Sequence, residues 1–501
     1  MKRYTLELTV FVSGAVIMIL EIVGSRILAP YLGTSIYVWT SIIGIILGSL
    51  SIGYWLGGKL ADNKARYDLL SFILFASGIA IAFLAVSNGV VLKGITRLPL
   101  DIRLQAIFAS IILLAPASIL LGCIAPYATR LKLANIETSG RTVGNLSAIS
   151  TVGCIFGTFL TGFYLLSWIG VTKILFLLSL ILILFSILGF RGERTKTRIT
   201  LMIFVLMMAG GQYWSQKEAE ARGFIDVDSA YNRIFVQEGN WGSRGIMRMM
   251  MISGELNSAM FLDSNDLAAP YSEYYRLARH FTPNIQSALM IGAGGYSYPK
   301  DFLASFSEAT MDVVEIDPKT TELAKKYFNL KDSPRLSIYH EDGRTFLNKS
   351  QKKYDAIYGD AFGSFYAIPY GLTTKEAVSH MYRLLNDDGV VVVNLISSLG
   401  GEKGKFLASE YRTFREVFPQ VYLFPTEDKA DTERTQNIIL VAMKSNEPPA
   451  LSSDDAELTH YLTKLWVGVL NKDAPVLTDD FAPVDQLVAA MAGGRPSMLE
   501  N

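Results

Sequence analysis

The sequence predicts two unlike pieces: a multi-pass α-helical membrane domain, then an α/β domain built on a mostly parallel sheet. Three observations carry this. Long apolar segments recur through residues 1–214 and then stop. That front piece holds 17 Lys+Arg against 7 Asp+Glu, a balance of +10, so the rest of this formally neutral 501-residue chain stands at −10. From about residue 287, short apolar runs alternate with helical stretches, the pattern of strands joined by crossover helices.

A spanning helix needs about 20 mostly apolar residues. Seven segments qualify, near 6–29, 38–57, 69–91, 104–126, 144–168, 173–190 and 199–214, the last being the shortest. The links "GGKLADNKARYD", "TRLKLANIETSGR" and "RGERTKTR" hold Lys59, Lys64, Arg66, Arg130, Lys132, Arg141, Arg191, Arg194, Lys196 and Arg198. The positive-inside rule therefore assigns these links and the amino terminus to the cytoplasm. Seven crossings, the expectation here, would carry the rear half outside the cytoplasm. If 199–214 lies along the interface instead, the rear half stays inside.

Glu21 falls near the middle of the first segment, five residues before Arg26. An ionisable group at that depth is either part of a helix-orienting ion pair or part of a proton or cation path. Gly44, Gly48, Gly53, Gly57 and Gly58 on the second segment read as close helix packing. Cys123 and Cys154 are the two cysteines, and with four scattered histidines they suggest neither a disulfide framework nor a metal site. No cleavable signal peptide is evident. The acidic rear half argues against nucleic acid as a partner and suits a cationic ligand.

Domain bounds follow: 1–214 transmembrane, 215–285 a small β lobe with a linking helix, and 286–501 the α/β domain. "RIFVQEG", "IMRMMMISG" and "NSAMFL" are the lobe's strands, and "AAPYSEYYRLARHF" is the helix. Strands of the large sheet are expected at 287–292, 311–317, 335–342, 354–360, 389–396, 420–426 and 436–443. Their continuous apolar character fits burial on both faces. Such sheets bind ligands off the carboxyl ends of their strands.

Four of those ends carry suggestive residues. After the first comes "GAGGYSYP", with Gly292 and Gly294, a cofactor loop or a plain turn. The second ends at Glu315, an acid placed to accept from two ribose hydroxyls. The third ends at Asp342, which could accept from an adenine amino group or cap a helix. The fourth ends at Asp360. Together they indicate a nucleoside-type cofactor. The loop matches neither GxGxxG nor GxxxxGK[ST], so a nucleoside without phosphates fits best. Aromatic residues Phe365, Tyr366 and Tyr370 follow Asp360 and can lie against a cationic chain. The plainer alternative is that they pack a lid and Asp360 caps the next helix. A primary amine is protonated at neutral pH, and a carboxylate at that position could attract it and take its proton.

On these motifs the chain resembles the spermidine synthase (polyamine aminopropyltransferase) family, within the seven-strand methyltransferase-like, Rossmann-like fold, over roughly 222–445. "ALMIGAGGYSYP" is similar to the family's glycine loop, "VVEIDP" to its ribose segment and "HEDGRTFL" to its adenine segment. "YDAIYGDAF" is similar to the strand with its catalytic aspartate, "YSE" to its tyrosine segment and "SGELNSA" to the lobe segment with a cofactor-contacting amide. With its helical front the layout looks like a membrane-fused homologue, which implies a bacterial-type inner membrane and the lipid bilayer as a partner.

The resemblance implies transfer of an aminopropyl group from decarboxylated S-adenosylmethionine to an amine such as putrescine, releasing methylthioadenosine, without a metal. Asp360 would be the general base and Tyr271 would stand beside the amine. Glu315 with Ile316 would hold the ribose, Asp342 and Gly343 the adenine, Gly292 and Gly294 the sulfonium chain, and Asn257 would contact the cofactor. Phe365, Tyr366 and Tyr370 would line the acceptor. Family members commonly self-associate, so a homodimer is also expected. Two departures stand out: Gly295 and Gly363 occupy positions where the family pattern has acids. They bear on the putrescine acceptor and the decarboxylated cofactor and so leave room for a methyltransferase using ordinary S-adenosylmethionine, while Glu21 supports a further reading, a non-catalytic polyamine-binding membrane transporter or sensor.

Overall fold

The computed structural model describes residues 4–492 except 64, 134, 136–137, 190–194, 241–244, 265 and 362–367. It divides into two compact units, 1–222 with 226–233, and 223–225 with 234–501.

The first unit is helical: α1 Thr5–Leu32, α2 Ile36–Asn63, α3 Tyr67–Thr96, α4 Ile102–Leu113, α5 Ala115–Lys132, α6 Ser139–Trp168, α7 Val171–Gly189 and α8 Thr195–Ala221. Each of the seven apolar segments forms helix, and the fourth is broken into α4 and α5 with a bend of 53°. The break falls before Pro116, which has no N–H to continue the ladder. Among the described residues four helices are long and apolar enough to cross a membrane, or five counting the bent pair as one span, while α7 is shorter.

Close approach between helices is selective. A Cβ on Gly53 would fall 2.9 Å from Gly122 Cα, and one on Gly57 would overlap Cys123 at 2.5 Å, so α2 seats on α5 at these two glycines. Gly44, Gly48 and Gly58 face open space instead, against the expectation that all five pack. Glu21 and Arg26 do not form the expected ion pair. Arg26 donates to the carbonyls of Ala230 and Tyr231, and no ion pair of Glu21 is present among the described residues.

The second unit holds the α/β fold. A four-stranded sheet, β1 Ile225–Asp228, β2 Arg233–Asn240, β3 Ile246–Ile252 and β4 Glu255–Phe261, runs in that order, with 226–228 of β1 and Arg233 of β2 counted in the first unit. The linking helix is interrupted: Pro270–Glu273, a 3-10 turn Tyr274–Leu277, and Ala278–Phe281. Then come β5 Ser287–Ile291, β6 Thr310–Val314, β7 Leu336–Tyr339, β8 Tyr354–Gly359, β9 Leu385–Ser397, β10 Gln420–Pro425 and β11 Gln436–Met443. All seven expected strands are present. They form one sheet in the order β10-β11-β9-β8-β5-β6-β7. Pairing is parallel from β7 to β9, and β11 runs antiparallel to both β9 and β10. The centres of β5, β8 and β9, Ala288–Ile291, Ala356–Tyr358 and Val390–Val393, are buried, as a sheet covered on both faces requires.

One buried group works against this core. Glu410, on the helix Lys405–Arg415, is fully buried and neither carboxyl oxygen has a hydrogen-bond partner among the described residues. Burial pushes its carboxyl well above the ordinary range. Its proton is retained on folding but lost in the unfolded chain above its usual value, so its cost grows with rising pH. Glu410→Met is therefore expected to stabilise by about 1–3 kcal/mol, more at pH 8 than at pH 5, in urea melts. An unchanged midpoint at both pH values would contradict the assignment.

Candidate active site

The sheet order sets the carboxyl ends of β7, β6, β5 and β8 side by side, so Asp342, Glu315, Gly292 and Asp360 follow one another along one edge. Backbone bonds carry the sheet into the edge itself. Gly292 N donates to Val314 O at 2.9 Å, Glu315 N to Tyr339 O at 3.0 Å and Asp360 N to Ile291 O at 2.9 Å.

The loop after β5 depends on its glycines. Gly292 has φ +80°, and a Cβ there would sit 2.8 Å from the carbonyl oxygen of Asp360. Gly294 has φ +49°, and its missing Cβ leaves the space taken by the side-chain oxygen of Asn257 on β4. Gly295 N donates to Ser258 Oγ at 2.8 Å. The small sheet thus reaches the glycine loop through Asn257 and Ser258.

Glu315 lies buried beneath that loop. Its Oε2 accepts from Ala293 N at 3.2 Å and its Oε1 from Asp317 N at 3.1 Å. Burial raises its carboxyl, and the N–H groups of Asp317, Ala293 and Gly294 draw it back. Each carboxylate oxygen has two acceptor directions, so both can take a further donor. Ile316 beside it is exposed. Asp342 caps the helix Gly343–Lys349, its Oδ1 accepting from Thr345 N at 2.8 Å. The helix-cap alternative therefore applies to one oxygen, and Oδ2 carries no hydrogen bond among the described residues. A Cβ on Gly343 would press on Ile291 at 2.7 Å.

Asp360 is held from two sides. Asn394 Nδ2 donates to Oδ1 at 3.2 Å, and the Tyr271 hydroxyl lies 3.4 Å from Oδ2 and also 3.4 Å from Asn257 O. The fully buried Tyr275 hydroxyl faces the same carboxylate without meeting hydrogen-bond geometry. Burial pushes the Asp360 carboxyl up to about 6, while the facing Tyr275 hydroxyl and the Asn394 and Tyr271 donors pull it down. Tyr271 and Tyr275 are themselves raised well above the ordinary phenol range, first by burial and then by the carboxylate, so both stay protonated donors.

Asp360, Tyr271, Asn257, Gly292, Gly294 and Glu315 are thus linked by contacts, with Asp342 and Gly343 both one strand beyond Glu315, after β7. Tyr370 begins the turn Tyr370–Thr373 and is 63% exposed, with no bond to this group. Phe365, Tyr366 and Gly363 lie outside the described residues. Sequence reasoning missed Asn394, Tyr275 and Ser258. Asn394 had a signal: it is one amide inside "VVVVNLI", and a buried polar group in such a strand needs a partner.

Gly295 was expected to mark a vacant acid position. A Cβ there would fall 2.9 Å from Phe328 Cδ1 and 3.0 Å from Ser258 Cβ. Gly295→Asp is therefore expected to destabilise by about 1–3 kcal/mol through overpacking. A urea midpoint equal to the parent's, with tighter diamine binding, would show that the loop accommodates the acid.

The fold is that of the seven-strand methyltransferase-like class. Comparison with protein families matches residues 275–426 to the spermine/spermidine synthase domain. A polyamine aminopropyltransferase of Vibrio vulnificus is 29% identical over 235 residues, 44% of this chain and 75% of that protein. A probable polyamine aminopropyl transferase of Bifidobacterium longum is 24% identical over 350 residues, 63% of this chain and 75% of that protein. Among solved structures, a probable spermidine synthase from Corynebacterium glutamicum superposes with TM-score 0.44 at 21% identity, covering 52% of this chain and 97% of that one. The chain carries a spermine/spermidine synthase domain over residues 275–426 and is similar to polyamine aminopropyltransferases, which supports an enzyme of that type.

Proposed function

We propose that this enzyme transfers the aminopropyl group of decarboxylated S-adenosylmethionine to a small amine of the putrescine class. The observation that carries the reading is the Asp360 carboxylate, held by Tyr271 and Asn394 on a residue whose backbone abuts Gly292. Glu315 would take the ribose hydroxyls on its remaining acceptor directions, Asp342 Oδ2 the adenine amino group, and Ile316 the face of the base. Asp360 would bind the acceptor as an ammonium and then take one proton from it. The freed nitrogen pair forms the new C–N bond as the C–S bond breaks, and the sulfur leaves as the neutral thioether methylthioadenosine. With its carboxyl near 6, Asp360 is ionised at neutral pH yet closer in basicity to an amine than an ordinary aspartate.

A second reading has one specific support. Gly295 offers no acid to repel a carboxylated cofactor, which leaves methyl transfer from S-adenosylmethionine open. Incubation of purified protein with each sulfonium compound and a set of diamines separates the two. Methylthioadenosine formed only with the decarboxylated donor supports aminopropyl transfer, and S-adenosylhomocysteine as the product would replace it with methyl transfer.

The helical unit supports a membrane reading and also a side. Glu7 pairs with Lys132 at 2.5 Å, and Arg66 N donates to the Tyr127 hydroxyl at 3.0 Å, so these basic links share one end of the unit. Buried Arg198, near the start of α8, donates to Ser71 and Ser186 at that same end. Segment 226–233 is held at the other end, where α1 finishes and α7 begins, by Arg26 and by Val171 N donating to Asp228 at 3.0 Å. Basic links face the cytoplasm. On this reading α8, whose 27 residues span about 40 Å but which is not among the helices apolar enough to cross by composition, would be a seventh crossing, and the chain would leave on the non-cytoplasmic face. In a cysteine-free background, Val469→Cys should react with an impermeant maleimide on intact spheroplasts and Asp62→Cys should not. The opposite pattern would put catalysis in the cytoplasm.

A further inference from the structure

Asn394 is 1% exposed on a central strand, and its amide has two ends with opposite hydrogen-bonding character. Which end meets Asp360 matters. Nδ2 donates to the carboxylate, whereas Oδ1 in that place would repel it. The choice is made one strand further out. Asn437, on β11, donates through Nδ2 to Asn394 Oδ1 at 2.9 Å, and Asn394 Nδ2 then reaches Asp360 Oδ1 at 3.2 Å. The antiparallel register pairs Asn394 with Ile439, so Asn437 is its diagonal neighbour on the same face of the sheet. The backbone of Asn437 is pinned as well, its carbonyl accepting from Thr426 N at 3.0 Å.

We propose that Asn437 is a positioning residue for the reaction: by fixing the orientation of the Asn394 amide, it keeps a donor on Asp360 and so keeps that carboxylate ionised and aimed. The proposal rests on Asp360 being the base of the transfer reaction. Asn437 contacts no reacting atom and acts through Asn394. The titratable groups facing Asp360 are Tyr271 and Tyr275, both protonated donors, and no ion pair reaches it among the described residues. The Asn394 amide is therefore the donor whose direction another side chain controls.

Two substitutions remove the donation by different routes. Asn437→Leu keeps the branching and the number of heavy atoms and deletes the polar group, and Asn437→Asp keeps the shape but can only accept, which turns the Asn394 amide around. In both, the acid limb of kcat is expected to move up by about one pH unit, a tenfold loss at pH 6 that recovers by pH 9, with KM for the sulfonium donor unchanged. A uniform loss at every pH, or an unmoved limb, would overturn the proposal, since a packing defect has no reason to follow pH. A second readout needs no turnover. Melting temperatures of the parent and Asn437→Leu, each with and without Asp360→Asn, are compared at pH 5 and pH 8. Asn437→Leu should cost more at pH 8, and that excess should vanish in the Asp360→Asn background. An excess that persists without the carboxylate refutes the positioning role. An excess that vanishes in a protein lacking transferase activity removes the proposed reaction while leaving the amide relay intact.

Discussion

Asp360→Asn is expected to lower aminopropyl transfer by about 10²–10⁴-fold while leaving nucleoside affinity close to the parent's. The asparagine keeps the shape, accepts from Asn394 through Oδ1 and offers its amide to the Tyr271 hydroxyl, so the fold is retained. What it cannot do is take a proton. Parent activity should fall below about pH 6, where Asp360 gains its proton, and this limb should be absent from the residual rate of the variant. Stability should move the other way. The folded carboxyl titrates near 6 against an ordinary 3.8, so the unfolded chain gives up that proton first. The ionised group then weighs against the fold increasingly from about pH 4 to pH 6 and by a constant amount above. That two-unit gap corresponds to about 3 kcal/mol at most, which the asparagine would recover at pH 8 and not at pH 3.5. A parent-like rate would remove Asp360 from the chemistry, and a variant that melts lower at pH 8 would contradict the burial argument.

Glu315→Ala should be the most damaging change to the nucleoside site. The carboxylate serves the fold and the ligand at once, because it satisfies the Ala293 and Asp317 N–H groups from below while facing the edge where a ribose would lie. Removing it strands two donors, at about 1–3 kcal/mol each. Loss of a charged contact to the ribose hydroxyls should weaken methylthioadenosine binding by at least about 100-fold, equivalent to roughly 3 kcal/mol. Glu315→Gln separates the two roles. One amide oxygen can still accept from one N–H, but the NH₂ end confronts the other, so part of the stability and little of the affinity should survive. Calorimetry with methylthioadenosine beside urea melts reads both. Parent-like binding in the glutamine variant would show that the ribose is held elsewhere.

The sheet was legible because its strands are uninterrupted apolar runs and because burial on both faces leaves that signature directly in the sequence. The acids were legible because each ends such a run. Less could be read where tertiary packing decides. Gly53 and Gly57 differ from Gly44 and Gly48 only in which side of α2 meets α5, and composition does not record that. Arg26 appeared to pair with Glu21 because the two are near in sequence, yet its partners are carbonyls about 200 residues away. Asn394 and Asn437 sit in separate strands, and only the antiparallel register of β9 and β11 makes them a pair. Gly295 read as a gap in an acidic pattern, while the three-dimensional answer is that Phe328 fills the direction a side chain would take.

The edge gathers residues from Asn257 to Asn437, and hardly any of its contacts are local in the chain. Loop-closure entropy makes such distant pairings late events in folding, so intermediates with a formed sheet core would still lack a working pocket. A bound nucleoside would report only molecules that have finished folding, and would slow their unfolding by mass action on the completed state. Nascent or truncated chains ending before β11 should therefore be invisible to ligand, however much of the central sheet they have already assembled.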